Sequence, residues 1–160
     1  MKRLAITVVA SGLLLTGLLS ACSTGPVRRV SEPTANIQQL TVRADGSWSV
    51  DLRIENFSSI PMRFDNIALA LAVGGEAAGT LQAQPALSIG PEAADVATMT
   101  LQPSAQARIV IADTLARGRS IGYTLEGTLL AAPEKAGTRT FKLKRDNTLN
   151  PVPGLAGVLR

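Results

Sequence analysis

The sequence predicts a mainly β protein, an antiparallel β-sandwich of about seven short strands with one helix inserted before the last strand pair. Three observations predict it. Apolar and polar residues alternate strictly over Trp48–Glu55, and Ile121, Tyr123, Leu125, Gly127 and Leu129 alternate with Gly122, Thr124, Glu126, Thr128 and Leu130, the pattern of strands with one packed and one solvated face. Asp45-Gly46 and Gly74-Gly75 stand between alternating segments, where tight hairpin turns need residues that tolerate positive φ. Such turn signals recur every ~8–12 residues, as in sandwiches.

The chain opens with Lys2 and Arg3, then a run from Leu4 to Leu19 that is apolar apart from Thr7, Ser11, Gly12, Thr16 and Gly17, then Ser20-Ala21-Cys22. A positive start, a short apolar stretch and small residues make a secretory signal layout. The run is shorter than the ~20 apolar residues a membrane span needs. An uncleaved anchor helix and an ordinary cleaved signal are the alternatives. Residues 23–35 are rich in Ser, Thr and Pro with interspersed charges and read as a flexible tether; the domain is placed at 36–145.

The first hairpin follows. Leu40 and Val42 alternate with Gln39, Thr41 and Arg43; Asp45-Gly46 turns the chain; Trp48, Val50, Leu52 and Ile54 return on one face. Asn56-Phe57-Ser58-Ser59-Ile60-Pro61 interrupts the pattern, since proline cannot donate to a ladder. The next strand spans Met62 to Val73. Ile67, Leu69, Leu71 and Val73 share one face and Ala68, Ala70 and Ala72 the other, so both faces are expected to be partly covered, or the small side to leave a cavity. Glu76 to Gln84 returns after Gly74-Gly75. Pro85 to Asp95 is a loop with an extended piece at Leu87 and Ile89, and Val96 to Gln102 is another strand.

Ser104 suits a helix N-cap and Gly118 a helix stop. Ala105, Ile109, Ala112 and Ala116 lie between them at helical spacing, and Asp113 and Arg117 form an i,i+4 pair. The run Ile109-Val110-Ile111 also fits a strand, so periodicity leaves both open. Ile121, Tyr123, Leu125, Gly127 and Leu129 then form one strand face, and Phe141 and Leu143 mark the return. Residues 146–160, with two prolines and two glycines, read as a loosely docked or disordered tail.

Composition excludes several functions. Histidine is absent and cysteine occurs once, which removes Ser-His catalysis and the commonest metal ligand. Asp51, Glu55, Asp65, Glu92, Asp95 and Glu126 are spread singly, and no phosphate-binding glycine motif or metal-ligand spacing occurs. Aromatic residues make up 3% of the chain, too few for the stacking platforms of single-strand nucleic-acid binding. No enzyme activity, cofactor or nucleic-acid partner is expected. Cleavage after residue 21 removes Lys2 and Arg3 and leaves 139 residues, with 14 basic against 12 acidic side chains and a net charge of +2. Arg139, Lys142, Lys144 and Arg145 form a basic cluster read as a solvated strand face, with anionic lipid as the sharper alternative. Trp48 and Tyr123 read as core residues and Asn56 as a turn residue.

Two resemblances add to this. Leu19-Ser20-Ala21-Cys22 resembles the lipobox of bacterial lipoproteins, which implies that Cys22 becomes an acylated N-terminus holding the protein to a membrane. Ser23 after it implies the outer membrane, facing the periplasm. The stretch Ile37–Arg145 resembles the late embryogenesis abundant type 2 (WHy) family. The likeness lies in Ile54-Glu55-Asn56 and the following Pro61, in Leu69 to Gly79, in Ile121 to Leu129 with Tyr123 and Gly127, and in Phe141-Lys142-Leu143. Phe57 and Ser58 depart from that family's Asn-Pro-Asn. The resemblance implies an immunoglobulin-like or fibronectin-like sandwich with a single helix at 104–117. It also implies a non-catalytic role in tolerance of desiccation, cold or osmotic stress, with client proteins, the membrane or an envelope assembly as partners.

Overall fold

The computed structural model describes residues 28–160; the signal segment and Cys22 lie outside them. Among the described residues nine strands form two antiparallel sheets, and the element order is β1 (Thr34–Val42), β2 (Trp48–Asn56), β3 (Met62–Val73), β4 (Glu76–Ala83), β5 (Leu87–Ile89), β6 (Ala93–Leu101), α1 (Ala105–Arg117), β7 (Ile121–Pro133), β8 (Arg139–Leu149) and β9 (Val158–Leu159). One sheet runs β6-β2-β1-β9. The other runs β4-β3-β7-β8, with β5 also pairing β3. The described residues form a mainly β sandwich with one helix.

The inward rows follow the alternation. Trp48, Val50, Leu52 and Ile54 from β2 face Ile67, Leu69, Leu71 and Val73 from β3 and Leu125 and Leu129 from β7, all buried in one core. Burial of such side chains stabilises by ~1.5–3 kcal/mol each. Two bulges let the pattern change parity. In β1 the register shifts between Ile37 and Gln39, so that Ile37 and Leu40, three apart, both point inward. In β3 it shifts between Phe64 and Asn66, so that Phe64 and Ile67 do the same. One extra residue on a strand is what reverses its faces.

Several sequence expectations need correction. The tail is docked: β8 runs on to Leu149, Val158 and Leu159 pair with Thr41 and Leu40 of β1, and Leu159 is fully buried. Gly154 and Gly157 have φ of 80° and 75°, so the glycines and prolines shape a turn between two apolar anchors. The described part of the tether is also ordered, with Thr34 and Ala35 already in β1. The alanine face of β3 is partly covered, as expected: Ala68 and Ala72 are half-buried and Ala70 is exposed, while Ile67, Leu69, Leu71 and Val73 fill the inside and leave no cavity between the sheets there. The helix has the expected bounds and caps. The Ser104 side chain accepts from the Ala107 N–H, and Gly118 closes the helix at φ 61°, a conformation that costs glycine nothing. Its buried face, however, carries Ala107 and Ile111, and Ile109 of the expected face is 61% exposed. Packing on the sandwich end selects the face that continues buried Pro103.

The strands define two poles. Asn56, Met62, Ala93 and Pro133 meet at one pole. At the other, Trp48 pairs with Leu101 and Ile121 with Leu149. The helix and the C-terminal hairpin sit at this second, distal pole: Val110 lies beside Gly74, and the Gly157 carbonyl accepts from the Val42 N–H at 2.8 Å. The N-terminal arm enters at the first pole.

Candidate functional site

Among the described residues, the buried polar ones are Ser47, Asn56 and Ser58, and two of these organise the first pole. Asn56 ends β2 with its side chain turned inward. Its Nδ2 donates to the carbonyls of Ile60 at 2.9 Å, Ile89 at 3.2 Å and Gly90 at 2.9 Å. Its Oδ1 accepts from the Ser58 N–H at 2.9 Å. A primary amide has two donor hydrogens and one acceptor oxygen, so its donors are fully committed and none remains for a ligand. Buried polar groups are costly unless bonded, and this one joins the β2–β3 loop to the β5–β6 turn.

Ser58 and Ser59 extend the network to the arm. The Ser31 N–H donates to Ser58 Oγ at 3.0 Å, and Ser58 Oγ donates to the Ser31 carbonyl at 3.3 Å. The Arg29 N–H donates to Ser59 Oγ at 2.8 Å, and the Ser59 N–H to the Arg29 carbonyl at 3.0 Å. The side chains of the arm hold further loops. Arg29 reaches the Phe57 carbonyl at 3.2 Å and Glu92 at 3.3 Å. Arg28 reaches the Glu134 carbonyl at 3.1 Å and its carboxylate at 3.6 Å. Beside this clasp lies an open cleft of about 510 Å³ lined by Arg29, Arg53, Glu55, Phe57, Glu92 and Ala93 among others. Its charges are matched, with Arg53 on Glu55 at 3.0 Å and Arg29 on Glu92. Exposed pairs of this kind are worth ~0–1 kcal/mol. Phe57 stands at its edge, 47% exposed.

The four motif residues singled out from the sequence do not form one site. Asn56 and Pro61 lie together at the first pole, where the Pro61 carbonyl accepts from the Glu134 N–H at 2.9 Å. Tyr123 and Gly127 lie inside β7. The Tyr123 hydroxyl accepts from the Ile37 N–H at 3.0 Å, in the part of β1 that β9 leaves uncovered. Arg145 Nε donates to Asn36 Oδ1 at 2.8 Å on the same side. The two contacts tie the sheets together, and Arg145 thereby leaves the expected basic cluster. Lys142 and Lys144 stay on the outer face, with Lys144 3.8 Å from Glu126. Trp48 is buried in the core. Cys22 lies outside the described residues. Sequence reasoning missed Ser58 and the arm, because nothing local marks which loop a Ser-Ser pair will clasp.

Burial pushes the Tyr123 phenol above its ordinary value of 10.0, opposed in part by the hydrogen bond from Ile37. The folded state therefore holds its proton where the unfolded state has begun to lose it. This contribution to stability is complete below pH ~10 and is lost as pH rises through the folded value. Tyr123→Phe is expected to flatten the alkaline limb of stability against pH. It also strands the Ile37 N–H, at a cost of ~1–3 kcal/mol at neutral pH. Urea titrations of both proteins from pH 7 to 11 check it; parallel curves would refute the assignment.

Fold and site together define a two-sheet antiparallel sandwich with a helix over one pole and a clasped N-terminal arm at the other. No family model matches the chain, and no curated protein matches it significantly. Among solved structures it is similar to a protein from Archaeoglobus fulgidus, with a TM-score of 0.46 and 10% identity over 78% of this chain and 98% of that one. It is also similar to AT1g01470 from Arabidopsis thaliana, with a TM-score of 0.49 and 13% identity over 84% and 89% of the two chains. A third is the structural-genomics target SoR45, with a TM-score of 0.40 and 12% identity over 80% and 89%. Likeness of this degree carries no argument about function.

Proposed function

We propose that this chain is a lipoprotein anchored through Cys22 to the periplasmic side of the outer membrane, with a non-catalytic sandwich that protects proteins or membrane during desiccation or osmotic stress. The observation that carries the placement is Leu19-Ser20-Ala21-Cys22 after a short apolar run, with no second cysteine. The protective role rests on the resemblance of Ile37–Arg145 to the WHy family. The non-catalytic role is supported by the matched charges of the polar cleft and the committed amide donors of Asn56. Among the described residues no group of three or more Asp, Glu, His or Cys gathers in metal-binding geometry.

Two measurements test it. The mature N-terminal peptide is expected to begin at Cys22 and carry acyl chains, and Cys22→Ser is expected to leave the membrane fraction. Deletion of the gene is expected to lower survival through drying, freezing and osmotic shock. Restoration by the Cys22→Ser form would show that the anchor is dispensable, and unchanged survival of the deletion strain would defeat the protective role.

A second reading, a docking part of an envelope assembly, is favoured by an apolar recess of about 510 Å³ at the distal pole, lined by Leu115, Pro151, Val152 and Leu155 among others. Stoichiometric capture of one envelope protein, abolished by Leu155→Asp, would favour it over the first.

A further inference from the structure

We infer that the pole bearing Phe57 is the face the domain presents to the lipid bilayer, with the Phe57 ring seated among the headgroups. The inference rests on the acylation of Cys22 proposed above. Its first support is the length of the connection. Cys22 and Arg28 are six residues apart in sequence, and six residues span at most ~20 Å when fully extended. The arm adds no reach beyond that point, because Arg28, Arg29 and Ser31 are fastened to Glu134, Ser59 and Ser58. A free arm would extend the leash to Thr34, twelve residues from Cys22, or ~40 Å.

The second support is the length of the sandwich. β1 and β2 each run nine residues from pole to pole, or ~30 Å at the rise of a strand. If the distal pole lay on the membrane, Arg28 would stand ~30 Å above it, beyond the reach of a ~20 Å connection. The clasp therefore forbids the inverted orientation and leaves the upright or side-lying ones.

The third support is the distribution of exposed apolar side chains. Three large ones are exposed among the described residues: Phe57, Ile109 and Leu155. Ile109 and Leu155 belong to the helix and the C-terminal hairpin, on the pole the leash keeps away from lipid. Phe57 is at the leashed pole. An aromatic ring there gains by entering the headgroup–acyl boundary, at a depth of ~5–10 Å, and this selects the upright orientation. The ion pairs Arg28–Glu134, Arg29–Glu92 and Arg53–Glu55 balance the charge around it. The contact is accordingly apolar and insensitive to salt.

The test uses the full acylated protein in vesicles of phosphatidylethanolamine and phosphatidylglycerol. Cys22 is the one cysteine, and acylation consumes its thiol, so Phe57→Cys, Ile109→Cys and Leu155→Cys each offer a single site for an environment-sensitive fluorophore. All three positions are exposed, and buried Trp48 reports whether each variant is folded. The expected result is a blue-shifted emission, quenched by a lipid-borne quencher, at position 57 alone, unchanged in high salt. Equal emission at all three positions, or protection at 109 or 155 instead, would overturn it. Mass measurement on the same sample separates the two ideas. A protein without acyl chains refutes the anchor, whereas an acylated protein with an unprotected position 57 refutes this orientation.

Discussion

Gly127→Ala is expected to unfold the sandwich or to remove more than about 4 kcal/mol of its stability. An added Cβ at this position would lie 2.1 Å from the Ala68 carbonyl oxygen and 3.0 Å from the Leu69 Cα of the neighbouring strand. Both are backbone atoms, so no side chain can swing aside. β3 and β7 pair along their whole length, from Met62 with Pro133 to Val73 with Tyr123. Relief therefore requires moving one central strand off another, which a closely packed interior resists. A domain of this size has ~5–15 kcal/mol in total. Gly122→Ala on the same strand is the control. Its nearest neighbour would be the Asn147 carbonyl at 3.9 Å, ordinary contact, and its urea midpoint is expected to stay close to that of the parent. A Gly127→Ala protein with the parent midpoint would show that the strand separation is softer than the geometry implies.

Asn56→Asp is expected to cost about 3 kcal/mol at pH 7, with the loss partly reversed in acid. The substitution keeps the shape and keeps an oxygen for the Ser58 N–H. It replaces the amide donor with a carboxylate oxygen facing the carbonyls of Ile60, Ile89 and Gly90. Burial and that repulsion would raise the new carboxyl above its unfolded value of ~3.9. A group raised on folding supports the folded state below its unfolded value and withdraws that support as pH rises through the folded one. Stability relative to the parent should therefore recover as pH falls from 7 toward 4, and thermal unfolding at the two pH values measures it. A constant difference across that range would mean that the new carboxyl does not titrate between pH 4 and 7, and would refute the expected shift. The arm should loosen with the loop, so faster hydrogen exchange at Ser31 is the local signature.

The parts legible in the sequence are those set by neighbours within a few residues. Trp48 to Glu55 alternates because one face of β2 is buried and the other solvated, and periodicity reports that directly. Ser104 and Gly118 bound the helix because a cap is a local bond between a side chain or carbonyl and the adjacent turn. The helix face was less legible: Ala105 and Ile109 have the right spacing, yet Ala107 and Ile111 are buried. Two apolar stripes were available, and only the surface beneath chose between them. At the first pole, Asn56 and Pro61 were readable as a bend. The clasp of Ser58 and Ser59 on the arm was not, since those bonds join residues 27 to 30 positions apart.

By itself, the sequence determined the composition of the core rows, the hairpin turns and the helix ends, and its lack of histidine removes Ser-His pairs and imidazole metal ligands. It also holds the lipobox-like segment on which the proposed anchoring depends. Tertiary structure decided the rest. It placed the bulge that turns Ile37 and Leu40 to the same side, and it folded residues 150–160 back so that Val158 and Leu159 pair with β1. It also set the Tyr123–Ile37 and Arg145–Asn36 ties and the docking of the arm that shortens the leash. The division follows from the reach of the forces: alternation and caps are settled by bonds along the chain, whereas these contacts join groups 86 and 109 residues apart and exist only once the two sheets have met.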